Sequence, residues 1–132
     1  MADIIPYTEH HAALVRSWID SERTWRHLSG RGTWPPSDDL ISGRQLNDMK
    51  AYLLLVRQEP VAYAEMWPRR EQLAVEVRFL LVDPHRRNEG FGSRMLELLR
   101  VEAGQRRGIA RVILRLDDGD RSVLGCYLRA GF

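Results

Sequence analysis

The sequence predicts a single mixed α/β domain, with a largely antiparallel sheet and one parallel strand–helix–strand crossover. Three observations predict it. Two adjoining apolar runs, Ala51 to Arg57 and Val61 to Trp67, flank a Gln58-Glu59-Pro60 turn and read as a hairpin. A longer run, Leu73 to Val82, alternates apolar residues with others. A glycine-rich turn, a helical pattern and another apolar run follow, the order of a right-handed crossover between parallel strands. The 132 residues fit one domain. A hydrophobic content of 44% supports a packed core rather than disorder.

Each element has its own signal. Ile4-Ile5-Pro6-Tyr7 reads as an edge strand, since proline is tolerated at a sheet edge. Thr8 is a candidate N-cap for a helix that places Leu14, Val15, Trp18 and Ile19 on one face. Ser29 to Asp39, rich in Gly, Pro, Ser and Asp, reads as a loop. In the long run, Val75, Val77, Phe79 and Leu81 share one face of an unbroken strand, and Pro68-Arg69-Arg70-Glu71 turns the chain before it. Asp83-Pro84 stops that strand. Ser93 to Ala103 is a helix with Met95, Leu96, Leu98, Leu99 and Glu102, and Gly104 is its expected left-handed C′ residue. Arg111 to Leu116 is the next strand. Asp120 caps a last helix that reaches Ala130 and ends at Gly131.

The totals exclude several classes. Twenty basic against 18 acidic residues leave a net charge of +2, too small to argue for nucleic acid or an anionic membrane. The single cysteine, Cys126, excludes an intramolecular disulfide and favours a reducing compartment. No apolar run reaches membrane-spanning length, and Met1-Ala2-Asp3 lacks the start of a signal peptide, so a cytoplasmic protein is expected. His10, His11, His27 and His85 have no metal-ligand spacing, and no metal is expected. Cys126 reads as a packed thiol, because no Cys-His pattern supplies a base.

The chemistry is concentrated where the long strand meets the following helix. In Val82-Asp83-Pro84-His85-Arg86-Arg87-Asn88-Glu89-Gly90-Phe91-Gly92-Ser93, two glycines remove side chains from the tightest part of the turn. Backbone N–H groups there, the unpaired donors of the helix start and two arginines suit a phosphate or pyrophosphate. A dinucleotide fingerprint needs a third glycine where Met95 stands, and a P-loop needs a lysine after the glycines. Neither fits. A glycine-rich turn shaped only for packing is the plainer alternative.

The pattern that fits is Arg-x-x-Gly-x-Gly, at Arg87, Gly90 and Gly92. With the approach Val82-Asp83-Pro84, it resembles the cofactor motif of the GCN5-related N-acetyltransferase superfamily. Asp120 to Phe132 is similar to that superfamily's C-terminal helix, with Tyr127 four residues before Gly131-Phe132. The two motifs stand in the family's order. The resemblance implies an acetyl-CoA-dependent transfer to a small-molecule amine or to a protein or peptide amine, on a sheet with helices on both faces. It implies that Leu80, Val82, Arg87, Asn88, Glu89, Gly90, Phe91, Gly92 and Ser93 contact acetyl-CoA. It also implies Tyr127 as general acid, since a phenol of reference pKa about 10 stays protonated at neutral pH and can donate to a departing thiolate.

Glu76 stands where several members carry a catalytic glutamate, and is the base that the resemblance implies. It lies opposite Val75, Val77 and Phe79, and needs desolvation or a bridging water to act. The alternative is a solvated strand charge paired to Arg78 or to a neighbouring strand. Trp25 and Trp34 flank the loop where the family forms its acceptor site, and would line an amine pocket beside Asp38 and Asp39, whose charges suit a cationic substrate. Loop anchoring is the competing role for them, whereas Trp18 belongs to the helix's apolar stripe.

Three positions depart from the family pattern: Asn88 replaces a common glycine, Glu89 a common basic residue and Asp120 a common asparagine. The family's two further strands would follow Phe132. Without them Arg111 to Leu116 is an expected sheet edge, which a homodimer would cover. A CoA-binding module without catalysis and an interaction protein without a CoA site are the competing classes.

Overall fold

The computed structural model describes residues 2–23, 25, 49–69, 71, 74–105 and 111–114. Its strands are β1 (Ala2–Pro6), β2 (Lys50–Val56), β3 (Glu59–Arg69), β4 (Ala74–Val82) and β5 (Arg111–Leu114). They form one sheet in the order β1-β2-β3-β4-β5. The first three pairings are antiparallel. β4 and β5 are parallel, from Ala74 opposite Arg111 to Val77 opposite Leu114. Helix α1 (Ala12–Ser17) precedes β2, and helix α2 (Phe91–Gly104) joins β4 to β5. This is the mixed sheet and crossover that the sequence predicts. The loop expected over 29–39 and the helix expected over 120–130 lie outside the described residues.

The sheet separates two cores. On one face Met95, Leu96, Leu99 and Ala103 of α2 pack on Tyr52, Leu54, Ala62, Ala64, Met66, Val75 and Val77. The spacing of those four α2 residues makes one helical stripe, and each is completely buried. On the other face Val15, Trp18, Ile19 and Trp25 pack on Ala51, Leu53, Tyr63, Phe79 and Leu81. β2 and β3 therefore bury both faces, which explains their nearly continuous apolar runs.

Local structure corrects several expectations. The hairpin turns at Arg57-Gln58, both at positive φ (52° and 68°), and Glu59 and Pro60 already belong to β3. Such a two-residue turn matches the right-handed twist of the flanking strands. β3 also runs on through Pro68 and Arg69, which pair with Val75 and Ala74, so these two are strand rather than turn. Thr8 precedes a 3₁₀ turn (Glu9–His11) without capping it, and its Oγ1 lies 3.2 Å from His11 Nδ1. Leu14 is exposed, while Val15, Trp18 and Ile19 are buried. The short α1 turns only part of the expected stripe inward. Gly104 is helical rather than left-handed, with Gln105 as C-cap.

The correction with the largest consequence is in β4. Phe79 has a φ of 63°, and pairing with β3 jumps from Glu65–Arg78 to Tyr63–Leu81. An inserted residue of this kind reverses which face later side chains occupy. Val75 and Val77 accordingly face α2, whereas Phe79 and Leu81 join the opposite core. The four do not share a face as expected.

Candidate functional site

The turn between β4 and α2 is built by backbone conformation. Asp83 Oδ1 accepts a hydrogen bond from His85 N–H at 2.9 Å, closing a 3₁₀ turn (Pro84–Arg86). Arg87 is extended, and Asn88 then takes a left-handed φ of 66°. Asparagine is among the residues that tolerate this region best, which accounts for its presence where glycine is common. Gly90, at φ 83°, begins α2 without any side-chain cap. A Cβ on Gly90 would meet no protein atom within 4 Å, so the backbone conformation, not crowding, requires glycine there. The first N–H groups of a helix lack intrahelical partners and carry partial positive charge. Such a start suits a diphosphate.

The charges around the turn are partnered. Glu89 Oε2 accepts from Arg86 Nε at 3.2 Å. The Arg86 guanidinium lies over the Phe91 ring, 5.1 Å from its centroid, and 3.9 Å from Glu59. Glu89 is thus directed to Arg86. Arg87 Nη2 lies 3.5 Å from Asp20 just beyond α1. Gly92 is buried, Phe91 and Ser93 are partly buried, and all three belong to the first turn of α2.

At the other end of the site, β4 and β5 pair only as far as Val77 among the described residues, while β4 continues to Val82. The bulge at Phe79 falls just after this fork. Leu80 and Val82 are partly buried on the α2 side. Trp25 meets Phe79 edge-on, with ring centroids 6.1 Å apart, and is 3% exposed, so it is a core residue. Trp34, Asp38, Asp39, Asp120 and Tyr127 lie outside the described residues.

Glu76 is 1% exposed. Arg69 Nε donates to its Oε2 at 2.8 Å, and Arg78 Nε lies 3.1 Å from its Oε1. It pairs with Arg78 and with Arg69 on the neighbouring strand, as the alternative expected, but it is buried between them rather than solvated. Burial of a carboxylate is tolerable where it is paired in this way.

A model of the acetyltransferase (GNAT) family matches residues 6–132. The chain belongs to this family. Among solved structures it is similar to an aminoglycoside acetyltransferase, AAC(6')-Ib, in complex with coenzyme A. The TM-score is 0.80 at 16% identity, over 100% of this chain and 84% of that one. A spermidine N-acetyltransferase from Vibrio cholerae, in complex with CoA and spermine, matches with a TM-score of 0.80 at 8% identity. The match covers 98% of this chain and 79% of that one. The ribosomal-protein-S18-alanine N-acetyltransferase from Escherichia coli matches with a TM-score of 0.67 at 19% identity, over 99% of this chain and 77% of that one. At such identities the likeness is one of fold.

This GNAT domain holds a second group that the sequence reading passed over. Glu65, on β3, is completely buried. Tyr63 Oη donates to it at 2.7 Å and Trp67 Nε1 at 2.9 Å. Arg78 lies over the Trp67 ring, 5.6 Å from its centroid. Tyr63, Glu65, Trp67 and Arg69 alternate along β3, and Glu65 pairs with Arg78 and Trp67 with Glu76 across the sheet. A lone charge inside the apolar run Val61 to Trp67 was the available signal. No helix among the described residues is long and apolar enough to cross a membrane. None of their His, Cys, Asp and Glu side chains form a group of three suited to a metal ion.

Proposed function

We propose that this GNAT domain transfers an acetyl group from acetyl-CoA to a primary amine. The observation that carries the reading is the uncapped, left-handed entry to α2 at Gly90, at the opposite end of the site from the β4–β5 fork. Gly90, Gly92, Phe91 and Ser93 offer the helix start to the diphosphate, with Arg87, Asn88 and Glu89 lining the approach. Arg87 then exchanges its solvent-screened contact with Asp20 for the diphosphate. Leu80 and Val82, beyond the fork, supply backbone hydrogen bonds to the pantetheine arm. Acetyl-CoA brings the activated thioester.

In the transfer the amine nitrogen bonds to the acetyl carbon and the carbon–sulfur bond breaks. The ammonium proton leaves before attack, and the thiolate takes a proton from Tyr127. Glu76 is the proton acceptor in this reading. Both its oxygens face guanidiniums; a bridging water would carry the proton to it. The solved relatives act on acceptors from a polyamine to a ribosomal protein, which supports an acceptor that is either a small-molecule amine or a peptide amine.

The test is steady-state kinetics of Tyr127→Phe with thiol release as the signal. We expect kcat to fall about a hundredfold or more, with acetyl-CoA affinity by calorimetry unchanged. Unchanged turnover would sink the assignment of Tyr127.

A further inference from the structure

On the face of the sheet opposite α2, Arg69, Glu76, Arg78, Trp67, Glu65 and Tyr63 form one connected group. Its buried charges are anionic and its accessible charges are cationic. Glu65 and Glu76 are 0% and 1% exposed, whereas the side chains of Arg69 and Arg78 are 32% and 43% exposed. Anything that reaches this group from solvent meets guanidinium first.

Arg78 is held from two sides. Its Nε lies 3.1 Å from Glu76 Oε1 in an ion pair, and its guanidinium carbon lies over the Trp67 indole, 5.6 Å from the centroid. The indole is in turn fixed by its hydrogen bond to buried Glu65, which Tyr63 also anchors. A half-exposed arginine ordinarily loses much side-chain entropy when it binds. Here the side chain is already positioned, so less is lost on capturing an anion. Neutralising Glu76 does not by itself call for Arg78, since Arg69 already donates to that carboxylate at 2.8 Å. The Arg78 side chain is 43% exposed, so part of its guanidinium faces solvent. Its forked donors match a carboxylate.

Arg78 also stands at the point where β4 leaves β5, one residue after the described pairing ends and one before the bulge at Phe79. In the proposed function the pantetheine arm runs along β4 at Leu80 and Val82, two and four residues beyond Arg78. We infer that the acceptor is a small amine carrying its own carboxylate, of the amino-acid class, with that carboxylate bound by Arg78. This rests on the acetyl-transfer reading and narrows it. Polycations would meet two guanidiniums and be disfavoured.

Matched acceptors that differ only by the carboxylate provide the test: lysine against cadaverine, and tyrosine against tyramine, with acetyl-CoA and thiol release. The wild-type chain is expected to favour the carboxylated member of a pair by about tenfold or more in kcat/KM. Arg78→Gln should lose that preference while CoA still stabilises the protein against heat. Arg78→Lys keeps a charge beside Glu76 but loses the fork and the stacking, and should lose most of the preference with the fold intact. Equal or better use of the decarboxylated amines, or a preference that survives both substitutions, overturns the inference. If no acceptor is turned over, calorimetry of N-acetyltyrosine against N-acetyltyramine with CoA present decides it: only tighter binding of the carboxylated compound supports it. Failure of CoA itself to bind would instead remove the acetyl-transfer reading, and this inference with it.

Discussion

Asn88 and Gly90 both take left-handed backbone conformations, at φ 66° and 83°, within three residues of each other. Two such residues redirect the chain from the end of β4 into the axis of α2. The cost of a side chain in that region is about 1–2 kcal/mol for an ordinary residue, and asparagine and glycine are the two types that largely escape it. A Cβ at Gly90 would strike nothing in the protein. Gly90→Ala should therefore destabilise the fold by about 1–2 kcal/mol through backbone strain alone, measured by urea denaturation. It should also weaken CoA binding by calorimetry, because the added carbon lies at the helix start. Full stability with normal CoA affinity would mean that the turn is not the binding cradle. Glycine spacing was legible in the sequence, but the conformation of Asn88 was not, since an asparagine at that position is compatible with several turn types.

At the scale of elements, α2 and β4 govern the site. α2 is held to the sheet by a stripe of completely buried residues, with Val101 exposed on its far side. Leu96→Ala should cost about 2–5 kcal/mol by chemical denaturation, whereas Val101→Ser should stay within about 0.5 kcal/mol. Comparable losses at both positions would contradict the packing described. β4 shows where period-two reading fails. The alternation of Val75, Val77, Phe79 and Leu81 is real in the sequence, but one inserted residue at Phe79 reverses its second half. A bulge is decided by pairing with β3 and by packing of Phe79 against Tyr63 and Trp25. Neither contact is visible from the strand itself. The same reversal sets Phe79 and Leu81 on the face that carries Glu76 and Arg78, so the apolar and charged parts of that face adjoin.

The described residues form a sheet with a separate core on each face, and the proposed ligands approach from different parts of it. CoA addresses the α2 end of β4, and the acceptor addresses the face with Tyr63, Glu65 and Trp67. A ligand that binds only the folded chain stabilises it by mass action, about 2.7 kcal/mol when present at a hundredfold its Kd. CoA at millimolar concentration should therefore raise the Tm by several degrees, read by differential scanning fluorimetry. An unchanged Tm would speak for a fold that has lost its CoA site. The two-core arrangement also makes Glu65 informative. A carboxylate buried in a strand needs hydrogen-bond donors, and Tyr63 and Trp67 supply two from the same strand.

The sequence by itself determined the strand–helix–strand crossover, the hairpin, the glycine turn and the family to which the chain belongs. These are local patterns: periodicity, turn chemistry and spacing within a dozen residues. Only the tertiary structure decided which face each β4 residue occupies, where Glu89 points and what surrounds Glu76. Those answers depend on contacts between residues distant in sequence, such as Arg69 with Glu76 and Arg87 with Asp20. The pairing of strands, not the order of residues, brings them together.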